Sequence, residues 1–399
     1  MTLLIKNCKL ISNEKEIFRN ILVKKGKIAA ITTKKPKADK EIDAKNNYVI
    51  PGIIDPHVHF REPGLTHKED FFTGSVSAAA GGITTFLDMP NTKPPTTTVK
   101  LLEKKSHLAQ KSIVNYGFHF GAANDNIGEI IKARNKTAST KLFMNLSTGK
   151  MMINDRITLE RIFEVSKIVS VHAEKEKVAE AVAYAKKTKT KLYLCHISLK
   201  DEIDFLRKAK KKRIFVEVTP HHLFLTKADV KKLKSFGEMK PDLKTKKDKD
   251  ALWKAIEDGI VDTIGTDHAP HTKQEKKKKE YPSGVPGCET VLPLMLDAVN
   301  KGKTSLTQVV RLMCHNPAKI FGIKNKGQLK VGYDADITII DMSKKKKVQN
   351  KELYTKCKWS PFDGKILKGW PIVTIVGGDI VFDETGFYDL KAKEVVFNG

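Results

Sequence analysis

Runs of β-forming residues alternate with helix-like stretches through most of this chain of 399 residues. This alternation is typical of parallel strands that are joined by helical crossovers. Eight such units within roughly 280 residues match the size of a (β/α)₈ barrel of the TIM type. The sequence therefore predicts an α/β fold with barrel strands at Ile50–His57, Ile83–Met89, Ile113–His119, Lys141–Leu146, Ile168–His172, Lys191–His196, Arg213–Val218 and Val261–Asp267.

Both ends of the chain carry further β-type runs. Ile17–Val23 lies near the start, and Asp336–Ile340 and Pro371–Val376 lie near the end. Each end alone offers too few strands to bury one face of a sheet. We therefore expect a small β-sandwich domain built from residues 1–50 and 330–399, beside a barrel domain at 51–329. The polar stretch Thr272–Glu280 is predicted to be a mobile loop after the last barrel strand.

The chain has a large positive charge, with 73 Lys and Arg against 46 Asp and Glu, or +27 in total. The lysine clusters at 210–213, 276–279 and 344–347 fall in different helices and loops. They lack the interleaved aromatic side chains of a platform for single-stranded nucleic acid. This pattern favours a solvated lysine surface, and we expect no nucleic-acid partner.

The cysteine content and the hydropathy of the chain indicate its cellular compartment. The five cysteines, Cys8, Cys195, Cys288, Cys314 and Cys357, show no close CxxC spacing, which argues against a disulfide framework or a zinc ribbon. No apolar run approaches the roughly 20 residues of a membrane span, and the first residues lack the layout of a signal peptide. We expect a cytoplasmic protein with no membrane partner.

Residues that can bind metal end several of the predicted strands. His57 and His59 are two apart, so both imidazoles point to one face of a strand. Alone, such a pair also fits a solvated strand end. His172, His196 and Asp267 end other strands, however, and active sites of such barrels form at the carboxyl ends of the strands. Together these residues predict a site for two metal ions.

Lys141 fits this site less simply, because it opens the apolar run Leu142-Phe143-Met144. An ammonium has no lone pair and would repel a second cation. Carboxylation by carbon dioxide would give a negatively charged carbamate whose two oxygens can bridge both ions. An unmodified lysine at the start of a strand is the alternative interpretation.

Several segments resemble motifs of the dihydroorotases of the amidohydrolase superfamily. The match runs over essentially the whole chain. The motifs are Asp55-Pro56-His57-Val58-His59-Phe60-Arg61-Glu62-Pro63-Gly64, Asp88-Met89-Pro90-Asn91-Thr92, Val171-His172-Ala173-Glu174, Leu194-Cys195-His196-Ile197-Ser198, Glu217-Val218-Thr219-Pro220-His221-His222 and Thr266-Asp267-His268-Ala269-Pro270-His271.

The resemblance implies a binuclear zinc site. His57, His59 and Asp267 would hold one Zn²⁺, His172 and His196 the other, and carboxylated Lys141 together with a hydroxide would bridge the two ions. The implied reaction is the reversible cyclisation of N-carbamoyl-L-aspartate to dihydroorotate and water, a step of de novo pyrimidine (UMP) biosynthesis. Asp267 would be the catalytic acid and base.

The resemblance also implies a set of substrate contacts. Arg61 offers a planar fork for the substrate carboxylate, and Asn91 and His271 can add further contacts to it. His59, Lys240, Ser283 and Gly284 complete the expected substrate-binding set, with Lys240 and the 283–284 turn acting through their backbone. Ser147-Thr148-Gly149 is expected to form a mobile lid.

Alternatives remain within and outside this activity. An allantoinase or a hydantoinase would carry the same metal ligands, but a carboxylate-binding arginine has no evident partner on allantoin or a simple hydantoin. An inactive homologue that serves as a partner of aspartate transcarbamoylase is a different class of function, and missing metal ligands would indicate such a protein. For an active enzyme, a homo-oligomer or an association with aspartate transcarbamoylase is also open.

Overall fold

Parallel strands surround the centre of the molecule. The computed structural model describes residues 2–12, 15–146, 151–210 and 212–398. Neighbouring barrel strands pair in parallel and in chain order. A bridge from Val58 to His268 joins the first strand to the segment after the last one. The barrel strands span Ile53–Val58, Ile83–Asp88, Asn115–Phe118 with its continuation Phe120–Gly121, Thr140–Phe143, Ile168–His172, Lys191–Leu194, Ile214–Val218 and Thr263–Ile264. The predicted TIM-type α/β barrel is confirmed.

Several barrel strands end earlier than the sequence predicts, and two of them stop short of a predicted site residue. Lys191–Leu194 stops before His196, and Thr263–Ile264 stops before Asp267. The φ angles of His196 and Asp267 are +39° and +47°. These values lie in or near the left-handed region, which a strand cannot include. The chain therefore leaves the barrel where it presents these two side chains.

Helices connect the strands, and many of them bury one face. The helix Lys246–Glu257, for example, begins after Thr245, whose side chain accepts a hydrogen bond from the backbone of Asp248. Its buried residues Leu252, Ala255 and Ile256 recur at helical spacing. The α-helices span Phe71–Ala80, Val99–Ala109, Ile127–Ala133, Arg156–Val165, Glu176–Thr188, Lys200–Ala209, Pro220–Phe224, Lys227–Leu233, Lys246–Glu257, Lys273–Lys276, Val291–Asn300, Leu306–Val310 and Asn316–Phe321, with 3₁₀ turns at Lys234–Gly237 and Asn350–Glu352 and a π-helical turn at Arg311–His315.

Both ends of the chain meet in a second sheet. Tyr48–Pro51 pairs with Ile337–Lys347 and thereby joins the early strands to the late ones. Leu3, Ile21 and Ile375 contribute to a hydrophobic core that this sheet has of its own. Its strands span Thr2–Ser12, Lys15–Lys24, Lys27–Thr32, Lys40–Asp43, Tyr48–Pro51, Ile337–Lys347, Ile366–Val376, Asp379–Asp383 and Gly386–Phe387. The structure thus has a β-sheet domain beside the barrel, while the domain limits given above stay a prediction.

Burial along the barrel strands explains why their sequences form nearly continuous apolar runs. Every residue of Ile53–Val58, Ile83–Asp88 and Ile168–His172 is buried, because helices cover the outside and side chains fill the inside. The predicted lid at Ser147-Thr148-Gly149 lies outside the described residues and is not tested. No helix within the described ranges is long and apolar enough to cross a membrane.

Candidate active site

One cavity at the carboxyl ends of the barrel strands gathers most of the predicted site residues. His271 is the exception, since it lies behind the wall and contacts Arg61 and the carbonyl of Ser283. The residues that line the cavity are His57, His59, Arg61, Asn91, Lys141, Phe143, His172, His196, Lys240, Asp267, Ala269, Ser283 and Gly284. A set that the sequence spreads over more than 200 residues therefore faces one space.

The first group of possible ligands converges on Asp267. Its Oδ1 lies 3.0 Å from His59 Nε2 and 3.4 Å from His57 Nε2. The other ring nitrogens face acceptors, because His57 Nδ1 lies 2.8 Å from Glu217 Oε1 and His59 Nδ1 lies 2.7 Å from Asn91 Oδ1. A proton on each Nδ1 leaves both Nε2 lone pairs directed at Asp267, as in metal-binding histidines that are oriented by a second acceptor.

The second group consists of two facing imidazoles. His172 Nδ1 lies 2.9 Å from His196 Nε2, and both rings are buried. Among the described residues, His172 Nε2 and His196 Nδ1 have no hydrogen-bond partner. Burial lowers the pKa of both rings, and the neutral form that results is the form that binds metal. Two imidazole nitrogens at this separation suit neighbouring positions on one ion.

The donor set fits divalent metal. His57, His196 and Asp267 each offer a ligand atom, and these atoms lie within 4.8 Å of one another. Imidazole nitrogen and carboxylate oxygen are the ligands of catalytic zinc sites, in which the protein leaves a coordination position open. Burial would raise the pKa of Asp267, but the imidazoles of His57 and His59 outweigh it and hold this pKa well below its ordinary value. The carboxylate is therefore ionised.

Lys141 lies inside the strand Thr140–Phe143, two residues deeper than His172 in the strand register. Its amine is 3.0 Å from Cys195 Sγ and 5.0 Å from the centre of the Phe143 ring. Within the described part of the chain, its side chain has no acidic partner within 4.0 Å. A buried ammonium without a counter-ion is costly, so the position suits a lysine that carries a different charge when the site is complete.

Arg61 is a buried cation at the wall of the cavity. Arg61 is 3% exposed. Its Nε donates to the carbonyl of Pro270 at 3.2 Å, and one Nη lies 3.2 Å from His271 Nε2. No carboxylate of the described residues lies within 4.0 Å of the guanidinium. Burial lowers the pKa of Arg61 to about 10, so the group is still charged at neutral pH. An anion from outside the protein can supply the missing partner.

The loop at 283–284 brings backbone to the cavity. Gly284 has φ of +135°, and its N–H donates to the carbonyl of Glu238 at 2.9 Å. A Cβ at Gly284 would lie 2.7 Å from the carbonyl oxygen of Ala269 and 3.1 Å from His271 Nε2. Only glycine combines this backbone conformation with such close neighbours. Lys240, which is exposed, also lines the cavity.

Sequence reasoning gave no role to Glu217, which the structure places beneath the site. Its carboxylate accepts hydrogen bonds from His57 Nδ1, from the backbone of His196 at 2.9 Å and from the Tyr193 hydroxyl at 2.7 Å. A single acid within the apolar strand Ile214–Val218 was the signal that could have identified it. Lys68, which contacts His271, gave no comparable signal.

Comparisons with known proteins agree with this geometry. The profile of the amidohydrolase family matches residues 48–381. The chain is 36% identical to a protein named dihydroorotase from Methanosphaera stadtmanae, over 98% of this chain and 99% of the relative. It is 38% identical to a dihydroorotase from Pyrococcus abyssi, over 94% of each chain. Among solved structures, the L-hydantoinase (dihydropyrimidinase) from Arthrobacter aurescens is similar, with a TM-score of 0.94, 31% identity and 99% of both chains covered.

Proposed function

This chain belongs to the amidohydrolase family, and from that premise we propose that it cyclises N-carbamoyl-L-aspartate to (S)-dihydroorotate and water, reversibly and with zinc. It is a cyclic amide hydrolase, and dihydroorotase is the name that its relatives share. This reaction is a step of de novo pyrimidine (UMP) biosynthesis.

The observation that carries the choice of substrate is the buried guanidinium of Arg61. It faces the same cavity as the possible metal ligands and has no carboxylate partner within 4.0 Å among the described residues. A substrate acid that sits there pairs with it through two parallel hydrogen bonds. Dihydroorotate carries a carboxylate on a carbon of the ring that is hydrolysed, whereas allantoin and simple hydantoins offer no such group.

Metal ligation is assigned from the two groups of side chains. His57, His59 and Asp267 would hold one Zn²⁺, His172 and His196 would hold the other, and Lys141 as a carbamate would bridge them together with a hydroxide. Two divalent ions held there supply Lewis acidity, which activates water and polarises an amide carbonyl. Glu217 supports the site by fixing the ring of His57.

Asp267 carries the proton in both directions. In hydrolysis, water adds to the ring amide carbonyl while Asp267 takes the proton of that water. The bond from the carbonyl carbon to nitrogen then breaks, and Asp267 gives the proton to the departing nitrogen. In cyclisation, the same carboxylate removes a proton from the ureido nitrogen as that nitrogen attacks the carboxyl carbon, and it then protonates the oxygen that leaves as water.

The remaining residues of the cavity recognise the substrate. We assign its carboxylate to Arg61 together with Asn91, and the ring amide edge to the backbone near Ser283 and Gly284. His271 contributes through Arg61, which it contacts from behind the cavity wall. Lys240 lies close enough to the cavity to contribute its backbone, and His59 borders both the metal and the substrate. Because these contacts exist in the bound substrate and in the transition state alike, they contribute mainly to binding.

A hydantoinase-type activity is the second candidate, because solved hydantoinases share the fold. The buried Arg61 argues against it, since a neutral ring leaves the guanidinium unpaired. An inactive partner protein is disfavoured because the cavity contains every predicted metal ligand. A cytoplasmic location, a homo-oligomer and an association with aspartate transcarbamoylase stay predictions.

Product analysis of the zinc-loaded protein tests this proposal. Dihydroorotate and carbamoyl aspartate should interconvert, with hydrolysis favoured at alkaline pH, and a chelator should abolish turnover until zinc is returned. Allantoin and hydantoin serve as matched neutral substrates. Folded, zinc-loaded protein that hydrolyses either neutral ring but leaves dihydroorotate unchanged would refute the proposal, and turnover that survives complete metal removal would refute the zinc mechanism.

A further inference from the structure

Lys68 lies behind His271 on the side away from the cavity. Its amine is 3.0 Å from His271 Nδ1, and the residue is only 9% exposed. The same amine lies 3.1 Å from Glu275 Oε1, which anchors it to the helix Lys273–Lys276. Lys68 does not line the cavity, so any effect it has on a ligand there passes through the ring of His271.

Two of the three contacts of the His271 ring favour one tautomer. The ammonium of Lys68 can only donate, so Nδ1 must be the acceptor. At the other edge, Nε2 lies 3.0 Å from the carbonyl oxygen of Ser283, which can only accept. Both neighbours therefore place the ring proton on Nε2. Burial, together with the charges of Arg61 and Lys68 that flank the ring, holds the pKa of His271 far below its ordinary value.

With its proton on Nε2, the His271 ring donates to the Ser283 carbonyl and offers Arg61 no lone pair. One Nη of Arg61 lies 3.2 Å from His271 Nε2, and two donors at this distance do not bond each other. That Nη therefore needs another acceptor. A substrate carboxylate in the cavity that Arg61 lines can supply it.

We propose that Lys68 is a positioning residue that holds His271 in the tautomer with its proton on Nε2, so that the ring donates to the Ser283 carbonyl and leaves the facing Nη of Arg61 to pair with the substrate carboxylate. The inference rests on the proposed function, because the carboxylate concerned is that of dihydroorotate. It adds a residue that touches no substrate atom, and it gives His271 the role of a neutral donor.

The tautomer can be measured without substrate. Nitrogen-15 NMR of histidine-labelled full chain, with His271 assigned from the His271→Asn variant, should show a neutral ring that is protonated on Nε2. In Lys68→Met, which keeps the length of the side chain but removes the donor, the Nδ1–H form should appear. A wild-type ring that is protonated on Nδ1 overturns the proposal, and this holds even if Lys68→Met does not fold.

Kinetics give the second readout. Loss of one charged hydrogen bond to His271 should raise the KM of Lys68→Met for dihydroorotate about tenfold while kcat stays within about twofold. Lys68→Arg, which keeps a donor, should recover most of the wild-type KM. Lys273→Met is the matched control, because it removes one exposed lysine from the helix that holds Glu275; its KM should change less than about twofold.

The two readouts separate this inference from the proposed function. Wild-type enzyme that does not turn over dihydroorotate would refute the function, while the spectra would still decide the role of Lys68. Lys68→Met with an unchanged tautomer and an unchanged KM would overturn the role of Lys68 and leave the function intact.

Discussion

Three residues of the site hold backbone conformations that side-chain-bearing residues rarely adopt. The φ angles are +66° for Arg61, +39° for His196 and +47° for Asp267. Such conformations cost about 1–3 kcal/mol each and persist where surrounding contacts enforce them. For His196, the backbone N–H donates to buried Glu217 at 2.9 Å. Strain of this kind turns the side chains into the cavity and away from the strand direction.

Asp267→Asn tests the proton carrier at the residue scale. The amide keeps the size of the carboxylate but cannot take a proton, so kcat should fall by about 10³-fold or more. Circular dichroism and the melting temperature should show that the fold is retained. Turnover close to that of the wild type would show that another group carries the proton.

Arg61→Gln tests the anion contact. Removing the buried charge should raise KM for dihydroorotate roughly 10²-fold and change kcat much less, because the carboxylate is bound equally in ground and transition states. Arg213→Gln provides the control, since Arg213 is exposed and its side chain donates to the carbonyl of Lys189 and has no acidic partner among the described residues. An unchanged KM in Arg61→Gln would place the carboxylate elsewhere.

The site residues near strand ends were predictable at the scale of elements because they depend on local pattern. His57 lies near the end of the strand Ile53–Val58, His59 follows that strand, and His172 closes an apolar run, so the sequence alone indicates that they lie at one end of the barrel. Contacts between distant segments were not predictable in this way. Glu217 meets His57 across 160 residues, and Lys68 meets His271 across 203. Neither segment carries a local pattern that specifies its partner.

The segment after the last barrel strand illustrates the same limit. Its polar composition predicts a mobile loop at Thr272–Glu280, but the structure has the helix Lys273–Lys276 there. Lys276 is buried and donates to the carbonyls of Glu238, Pro282 and Gly284. The sequence does not distinguish a buried lysine that donates to backbone carbonyls from a surface lysine.

Glu275→Gln tests how this helix is held. Burial would raise the pKa of Glu275, but hydrogen bonds from the Thr272 backbone and from Lys68 lower it from 4.5 to about 2. Because the folded pKa is the lower one, its contribution to stability is complete above pH 4.5 and is lost as pH falls through about 2. The variant should cost about 1–2 kcal/mol of unfolding free energy at pH 7 and clearly less at about pH 3.

Denaturant titrations at the two pH values measure this difference. Glu257→Gln is the control, because Glu257 forms an exposed pair with Lys254 and its loss should cost less than about 0.5 kcal/mol. A cost for Glu275→Gln that is the same at both pH values would show that its charge does not hold the loop.

The whole molecule joins a barrel that carries the site to a sheet built from both chain ends. The barrel encloses the possible ligands on several different strands, so metal binding stabilises the folded chain and not its unfolded form. Removing metal with a chelator should lower the melting temperature by about 5 °C or more, and added zinc should restore it in a concentration-dependent manner. A melting temperature that is indifferent to both treatments would contradict the assigned ligands.

The central claim is that the cavity hydrolyses a cyclic amide because that amide carries a carboxylate. The most direct test compares kcat/KM of the zinc-loaded full chain for dihydroorotate and for dihydrouracil, which is the same ring without the carboxylate. Because buried Arg61 is left unpaired by the neutral ring, dihydroorotate should be preferred by at least about 10³-fold. Equal values, or a preference for dihydrouracil, would contradict the assignment.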